Sequence, residues 1–317
     1  MTRTLVAGML IAACAQAQAA GTAGTEALVS GVPHDALFAV NFDGANGIVA
    51  GAPGKIFDTH DGGKTWKADT SFPTPLAVLG ADLKGDRAIA VGQMGLVFVR
   101  DGGNGWKKID AGTTERLMNV SLNSKGVAVA VGSFGTVIKS EDGGQTWAAI
   151  PPDWKPYLTT DQVEQGIQPH MSAAHVGEDG VITIAGEFSL ILRSSDGGKT
   201  WTAVNKGEPT VFALDLRGDG VGYAVGQDGL ILRTADGGAT WTKLAAASKA
   251  NLLGVRSTGN TLVVTAMHDM IASTDSGQSW RHVQTPDVLA AWYSGVAVAD
   301  GTLIAVGHTG RIIKINL

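Results

Sequence analysis

The segment Thr59-His60-Asp61-Gly62-Gly63-Lys64-Thr65-Trp66 returns four more times along the chain with small changes. The recurring aspartate and tryptophan are Asp61 and Trp66, Asp142 and Trp147, Asp196 and Trp201, Asp236 and Trp241, and Asp275 and Trp280. A degenerate copy with Asp101 and Trp106 lies between the first and second. Successive tryptophans are 40, 41, 54, 40 and 39 residues apart, and these six are most of the chain's 8. A period near 40 residues marks a supersecondary unit that cannot bury its own faces and must stack on its neighbours.

The material before each box shows what that unit is. In Ala224-Val225-Gly226-Gln227-Asp228-Gly229-Leu230-Ile231-Leu232-Arg233, two apolar runs flank a G-x-x-G turn. That reads as a hairpin with two central residues. A further strand-like run precedes it at 211–216, and a short fourth run follows each tryptophan. Four strands per repeat is the propeller pattern. The 44 glycines, about twice the ordinary share, fit a chain with many tight turns.

The last repeat, from 291, supplies three strands and stops where its box would begin, while residues 26–30 can supply the fourth. The expected fold is therefore all-β: a seven-bladed β-propeller of four-stranded antiparallel blades, the last closed by N- and C-terminal strands. A single domain over 26–317 leaves no sheet edge unpaired at the seam.

The N-terminus reads as an export signal over residues 1–20. Arg3 gives the positive end, 5–13 the apolar stretch, and Ala15-Gln16-Ala17 or Ala17-Gln18-Ala19 a small-residue cleavage site. The apolar stretch is too short to span a bilayer. Ile11-Ala12-Ala13-Cys14 also reads as a lipobox, although the stretch before Cys14 is short for a lipoprotein signal. The expectation is an exported, periplasmic protein, or a lumenal one in a photosynthetic host, with acylation at Cys14 as the second route. Cys14 is the only cysteine, so the domain is expected to work without disulfides or thiol chemistry. A net charge of −5 with no basic run argues against nucleic acid.

Six boxes do not make a sixfold site. Aspartate bonds its own backbone in turns, glycine supplies positive φ, and tryptophan is large enough to plug a gap between blades. Each loop offers one carboxylate, whereas a calcium site needs several. The boxes are read as structural, with no metal and no cofactor expected.

The motif resembles the Asp-box, or BNR, repeat of sialidases and related propellers. Among these, Val225-Gly226-Gln227-Asp228-Gly229 leading into a box resembles the photosystem II stability and assembly factor family, over essentially all of 26–317. That resemblance implies an exported, non-enzymatic scaffold that binds a protein partner, expected to be a membrane protein complex, with the protein itself a monomer. The arginine-rich patch associated with photosynthetic members is not evident here. The alternative is an exported carbohydrate-active propeller, a hydrolase or a lectin.

Sialidase chemistry needs three arginines, a tyrosine nucleophile with an acidic partner, and an aspartate. The box loops occupy one face; the G-x-x-G turns and inter-blade connections occupy the other, where sialidases place their chemistry. Arg87, Arg100, Arg193, Arg217, Arg233, Arg256 and Arg281 map beside box-face loops, leaving Arg116 and Arg311 opposite. Of the three tyrosines only Tyr293 could line the channel mouth, with no acid placed beside it. The seven histidines show no metal-ligand spacing, although His268-Asp269 and His308 come from neighbouring blades and could meet.

A partner surface is expected on the turn face. The turn pairs are Ala52-Pro53, Gln93-Met94, Ser133-Phe134, Glu187-Phe188, Gln227-Asp228, Ala266-Met267 and His308-Thr309. Met94, Phe134, Phe188 and Met267 put apolar side chains at turn tips, which suits a protein partner. The 54-residue step adds an insertion at 151–170, carrying Trp154 and Tyr157 either as anchors or packed inward. Arg116, Glu187, Asp228, Trp292, Tyr293 and His308 complete the candidate set.

Overall fold

The computed structural model describes residues 23–102, 104–245 and 247–317. The export signal and Cys14 lie outside the described residues. Seven four-stranded antiparallel sheets are arranged around a central channel. Their innermost strands are Ala36–Asp43, Val78–Lys84, Leu117–Leu122, Met171–Val176, Val211–Leu216, Leu252–Thr258 and Tyr293–Ala299. In blades 1 to 6 the strands run outward in chain order; in blade 7 Gly24–Ser30 takes the outermost place against Arg311–Asn316. Only two short α-helices occur among the described residues, Thr160–Glu164 and Pro286–Ala290.

The second strand of each blade is almost wholly buried, for example Ala128–Gly132 and Gly222–Gly226. Both faces of such a strand meet another sheet, so apolar residues run continuously instead of alternating. The core accordingly divides into seven clusters, each shared by two consecutive blades. Ile89, Val91 and Val97 of blade 2 pack with Leu117, Val120 and Ile138 of blade 3. Ile48 and Ile56 of blade 1 meet Ala88 and Phe98 of blade 2. In six clusters the tryptophan of a box packs at the edge: Trp66, Trp106, Trp147, Trp201, Trp241 and Trp280.

The box shows how that tryptophan is held. Asp142 Oδ1 accepts from Ser140 Oγ at 2.7 Å and from the Thr146 backbone N–H at 2.9 Å, while Oδ2 accepts from Thr146 Oγ1 at 2.6 Å. Ser140 Oγ accepts in turn from Gly144 N–H, and Trp147 Nε1 donates to the Gly144 carbonyl at 2.9 Å. The hydroxyl–carboxylate clasp recurs around Asp61, Asp196, Asp236 and Asp275. These donors hold the carboxyls of Asp142, Asp236 and Asp275 down to about 2, and those of Asp61 and Asp196 lower still, with the threonine or serine hydroxyl the largest cause.

Blade 2 departs from this pattern, and the expected structural role of Asp101 does not hold. Arg100 pairs across the hairpin with Ala88, the register at which Thr59 meets Gly47 and Ser140 meets Ala128. Arginine thus occupies the hydroxyl position, and the loop is one residue shorter. Asp101 accepts instead from Arg87 at 2.9 Å. Arg100 grips Asp58 of blade 1 at 2.6 and 2.8 Å and lies 4.8 Å over the Trp106 ring. Trp106 donates to Asp69 and keeps its plug role.

Two outcomes are expected. Trp147→Ala should cost about 3 kcal/mol in chemical denaturation, the ordinary price of emptying a packed aromatic site. Asp142→Asn should lower Tm at neutral pH. A carboxyl whose folded value is depressed gives stability that is present above the unfolded value near 4 and is lost as pH falls toward the folded one. The mutant and parent melting curves should therefore converge near pH 2; a constant gap would show that the clasp does not depend on charge.

Candidate functional site

The turn face is built from seven tight turns at one register. In six of them the second central residue sits in the left-handed region: Met94, Phe134, Phe188, Asp228, His268 and Thr309 have φ between 50° and 59°. Strand pairing of Leu252 with Ala266 corrects the expected Ala266-Met267 pair to Met267-His268. The first central residue has a task. Gln93 Oε1 accepts from Ala77 N–H at 3.0 Å, and Glu187 Oε2 from His170 N–H at 2.8 Å. Each latches the incoming inter-blade connection. Of the second residues His268 makes a comparable contact, its Nδ1 3.2 Å from the Leu289 carbonyl; left-handed backbone costs a non-glycine residue on the order of 1 kcal/mol. Met94 at that position serves neither the turn nor the core, and Phe134 rests beside the His170 ring at 4.9 Å while staying largely exposed.

Among the described residues, five large apolar side chains are strongly exposed: Met94 at 72%, Phe134 at 58%, Val32 at 54%, Leu289 at 52% and Met267 at 45%. All five lie on the turn face, since Val32 follows Gly24–Ser30 there and Leu289 lies in the connection from blade 6 to blade 7. Arg116 and Asp228 are exposed on the same face. Trp292 is half-buried, stacked on Phe38 at 6.0 Å and 6.4 Å from the His308 ring.

Several candidates serve packing instead. Phe188, Trp154 and Tyr157 pack on the cluster between blades 3 and 4. Trp154 lies directly over Gly135, where any Cβ would strike its indole. Tyr157 donates to the Trp201 carbonyl at 2.8 Å. The insertion at 151–170 therefore turns these aromatics onto the seam between blades 3 and 4. Tyr293 is fully buried, and the expectation that no acid stands beside it fails: it donates to Asp287, which also pairs with Arg311. Burial pushes the Tyr293 hydroxyl up to about 12, the wrong direction for a nucleophile. His268 and His308 do not meet on Asp269, which instead binds His282 at 2.8 Å and Ser248 at 2.6 Å.

The central channel holds a group of residues that motif reading missed. It is a cavity of about 700 Å³ lined by the innermost strands. Four residues beyond the paired anchors Leu37, Val78, Leu117, Met171, Val211, Leu252 and Tyr293, one side chain per blade falls at the same level. Blades 1 to 4 place Asn41, Asp82, Ser121 and His175 there; blades 5 to 7 place Asp215, Arg256 and Ala297. Arg256 is thus a channel residue, not a box-loop one. It binds Asp215 at 3.1 Å and reaches across to Asn41 at 2.9 Å. Asp215 also accepts from Ser257 N–H and Oγ.

Asp82 has no cation of its own. Its oxygens accept from the Leu122 and Leu83 backbone N–H groups at 2.8 and 2.9 Å. Burial nevertheless outweighs these bonds and raises its carboxyl to about 6. Burial also holds the His175 imidazole below its usual range. Motif searching misses this ring because its seven members differ in type; aligning the inner strands on their anchors reveals it.

Residues 98–211 match the model of the family described as photosynthesis system II assembly factor YCF48. That stretch contains the insertion and the Phe134 and Phe188 turns. Over 113 residues the chain is 26% identical to the photosystem II assembly lipoprotein Ycf48 of Synechococcus sp. (strain CC9902). The aligned part is 35% of this chain and 34% of that protein, about a third of the relative's length. Among solved structures, YCF48 bound to D1 peptide superposes with a TM-score of 0.70 at 18% identity, covering 95% of this chain and 99% of the other. YCF48 from Cyanidioschyzon merolae gives 0.72 at 17% identity over 92% and 98%. At these identities the structures speak to the fold. The resemblance read from the repeats is carried by the family match.

The Asp82 carboxyl supplies a test of the channel electrostatics. A carboxyl with a raised folded value favours the fold while protonated, and that advantage disappears as pH climbs from about 4 through 6. The stability of Asp82→Asn relative to the parent should rise across this window by on the order of 2 kcal/mol. A difference that stays flat from pH 4 to 7 would mean that Asp82 is comfortably solvated.

Proposed function

We propose that this protein is a non-enzymatic assembly factor that holds a protein partner on the turn face of the propeller. The observation that carries this reading is the segregation of the exposed apolar side chains. Met94, Phe134, Met267, Val32 and Leu289 share one face. Side chains of this kind on a rigid scaffold favour protein contacts over binding of a polar sugar. The family match over 98–211 supports it, as does a fold shared with a YCF48 whose structure was solved bound to D1 peptide. We further propose that the partner belongs to a membrane complex and that the protein acts as an exported monomer. The curated relative is named as a lipoprotein, which agrees with the second route at Cys14.

The proposed contacts are the apolar tips Met94 and Phe134 on adjacent blades and Met267 on blade 6, with Arg116, Asp228 and His308 as polar contacts. Trp154, Tyr157, Phe188 and Glu187 support the scaffold beneath them, and Trp292 and Tyr293 hold the channel rim. The triple variant Met94→Ser, Phe134→Ser and Met267→Ser should lose most of the partner in affinity pull-down from detergent-solubilised host membranes. Its Tm should stay within about 2 °C, because exposed side chains away from structural features contribute little to stability. A triple variant that still recovers the same membrane complex at parental yield would refute the assignment of this face.

A further inference from the structure

Toward the turn face the channel is walled by an apolar collar, and its lining runs out past Glu178, Asp179, Arg217 and Gly220 on the box face. Between the two stands a carboxylate with no ion-pair partner. One residue beyond the inner-strand anchors stand Phe38, Leu79, Met118, Phe212 and Leu253, all half-buried and lining the cavity. Three positions deeper comes Asp82, with Ser121 and His175 on the next two blades. At about 3.3 Å per residue the carboxylate lies roughly 10 Å below the apolar collar.

From this arrangement we infer that the channel binds a primary alkylammonium group, its charge at Asp82 and its stem along the apolar collar. Of the two carboxylates in the ring, Asp215 already has Arg256. Lys84, two residues further toward the box face, is paired with Asp43 at 3.6 Å. Asp82 alone is left with backbone donors and no ion pair, Lys84 and Arg256 acting on it only at a distance. The fold does not demand an acid at this level, because Asn41, Ser121 and Ala297 fill the same register in other blades. An ammonium donates three hydrogen bonds: Asp82, the Ser121 hydroxyl and the neutral His175 ring are the acceptors offered on that side. A carboxylate ligand would meet Asp82 head on, while Arg256 is already engaged by Asp215 and Asn41.

The ammonium can come from a free amine or from a lysine of the bound partner; the second source rests on the function proposed above. Calorimetric titration of the full mature protein with n-hexylammonium, n-hexanol and hexanoate tests the site itself. Hexylammonium should bind at least about tenfold tighter than hexanol, the scale of one charge-assisted hydrogen bond, and hexanoate should not bind. Asp82→Asn, which keeps an acceptor for Leu122 N–H, should abolish the preference while leaving the circular dichroism spectrum unchanged. Equal binding of hexanol and hexylammonium, or binding of hexanoate, would overturn the inference, as would an unchanged preference in Asp82→Asn. An apolar peptide with one lysine, compared with its Nζ-acetylated form, separates the sources: selective binding of the free lysine assigns the partner, and equal behaviour assigns a free amine. Loss of partner capture in the turn-tip triple variant, with hexylammonium binding absent from the parent, would sink this inference and leave the turn-face reading standing.

Discussion

Everything in this molecule depends on each blade covering its neighbour's flat face. A four-stranded sheet whose second strand is buried on both sides has no stable existence alone. Strands such as Ala128–Gly132 become possible only because apolar side chains of adjacent blades close over them. The ring must therefore close, and Gly24–Ser30 closes it by pairing with Arg311–Asn316. The box tryptophans seal the rim of six seams, and the aspartate–hydroxyl clasp fixes the loop from which each tryptophan projects. Stability is spread over seven similar seams, so single turns on the far face can change without threatening the whole.

That division of labour explains what was legible in the sequence. The boxes, the hairpins and the shared last blade repeat at fixed spacing, because every seam poses the same packing problem and receives the same answer. Blade 2 misled motif reading at Asp101, since the short loop put Arg100 where a hydroxyl belongs and only cross-strand register reveals the shift. Trp154 and Tyr157 fitted either anchors or inward packing, because a single insertion has no repeat to be read against, and their contacts place them on the seam between blades 3 and 4. The acid beside Tyr293 comes from Asp287 in a helical connection with no repeat signature. The channel ring was hidden because its members are about forty residues apart and chemically unlike.

Function is concentrated where the repeat relaxes. At the turns of blades 2 and 4 the first central residue is tied to the backbone. Met94 and Phe134, at the second place of their turns, are exposed in left-handed backbone, Phe134 beside the His170 ring. In the channel, burial raises the Asp82 carboxyl more than its backbone donors and the charges of Lys84 and Arg256 lower it.

The central claim is that the turn face, and not the box face, meets the partner. A photo-crosslinking amino acid placed at Phe134 on the turn face, or at the exposed box residue Lys199 on the opposite face, reads this directly in the living host. The account predicts a discrete crosslinked adduct from position 134 and none from position 199. Adducts from position 199 alone would contradict it and move the interface to the box face.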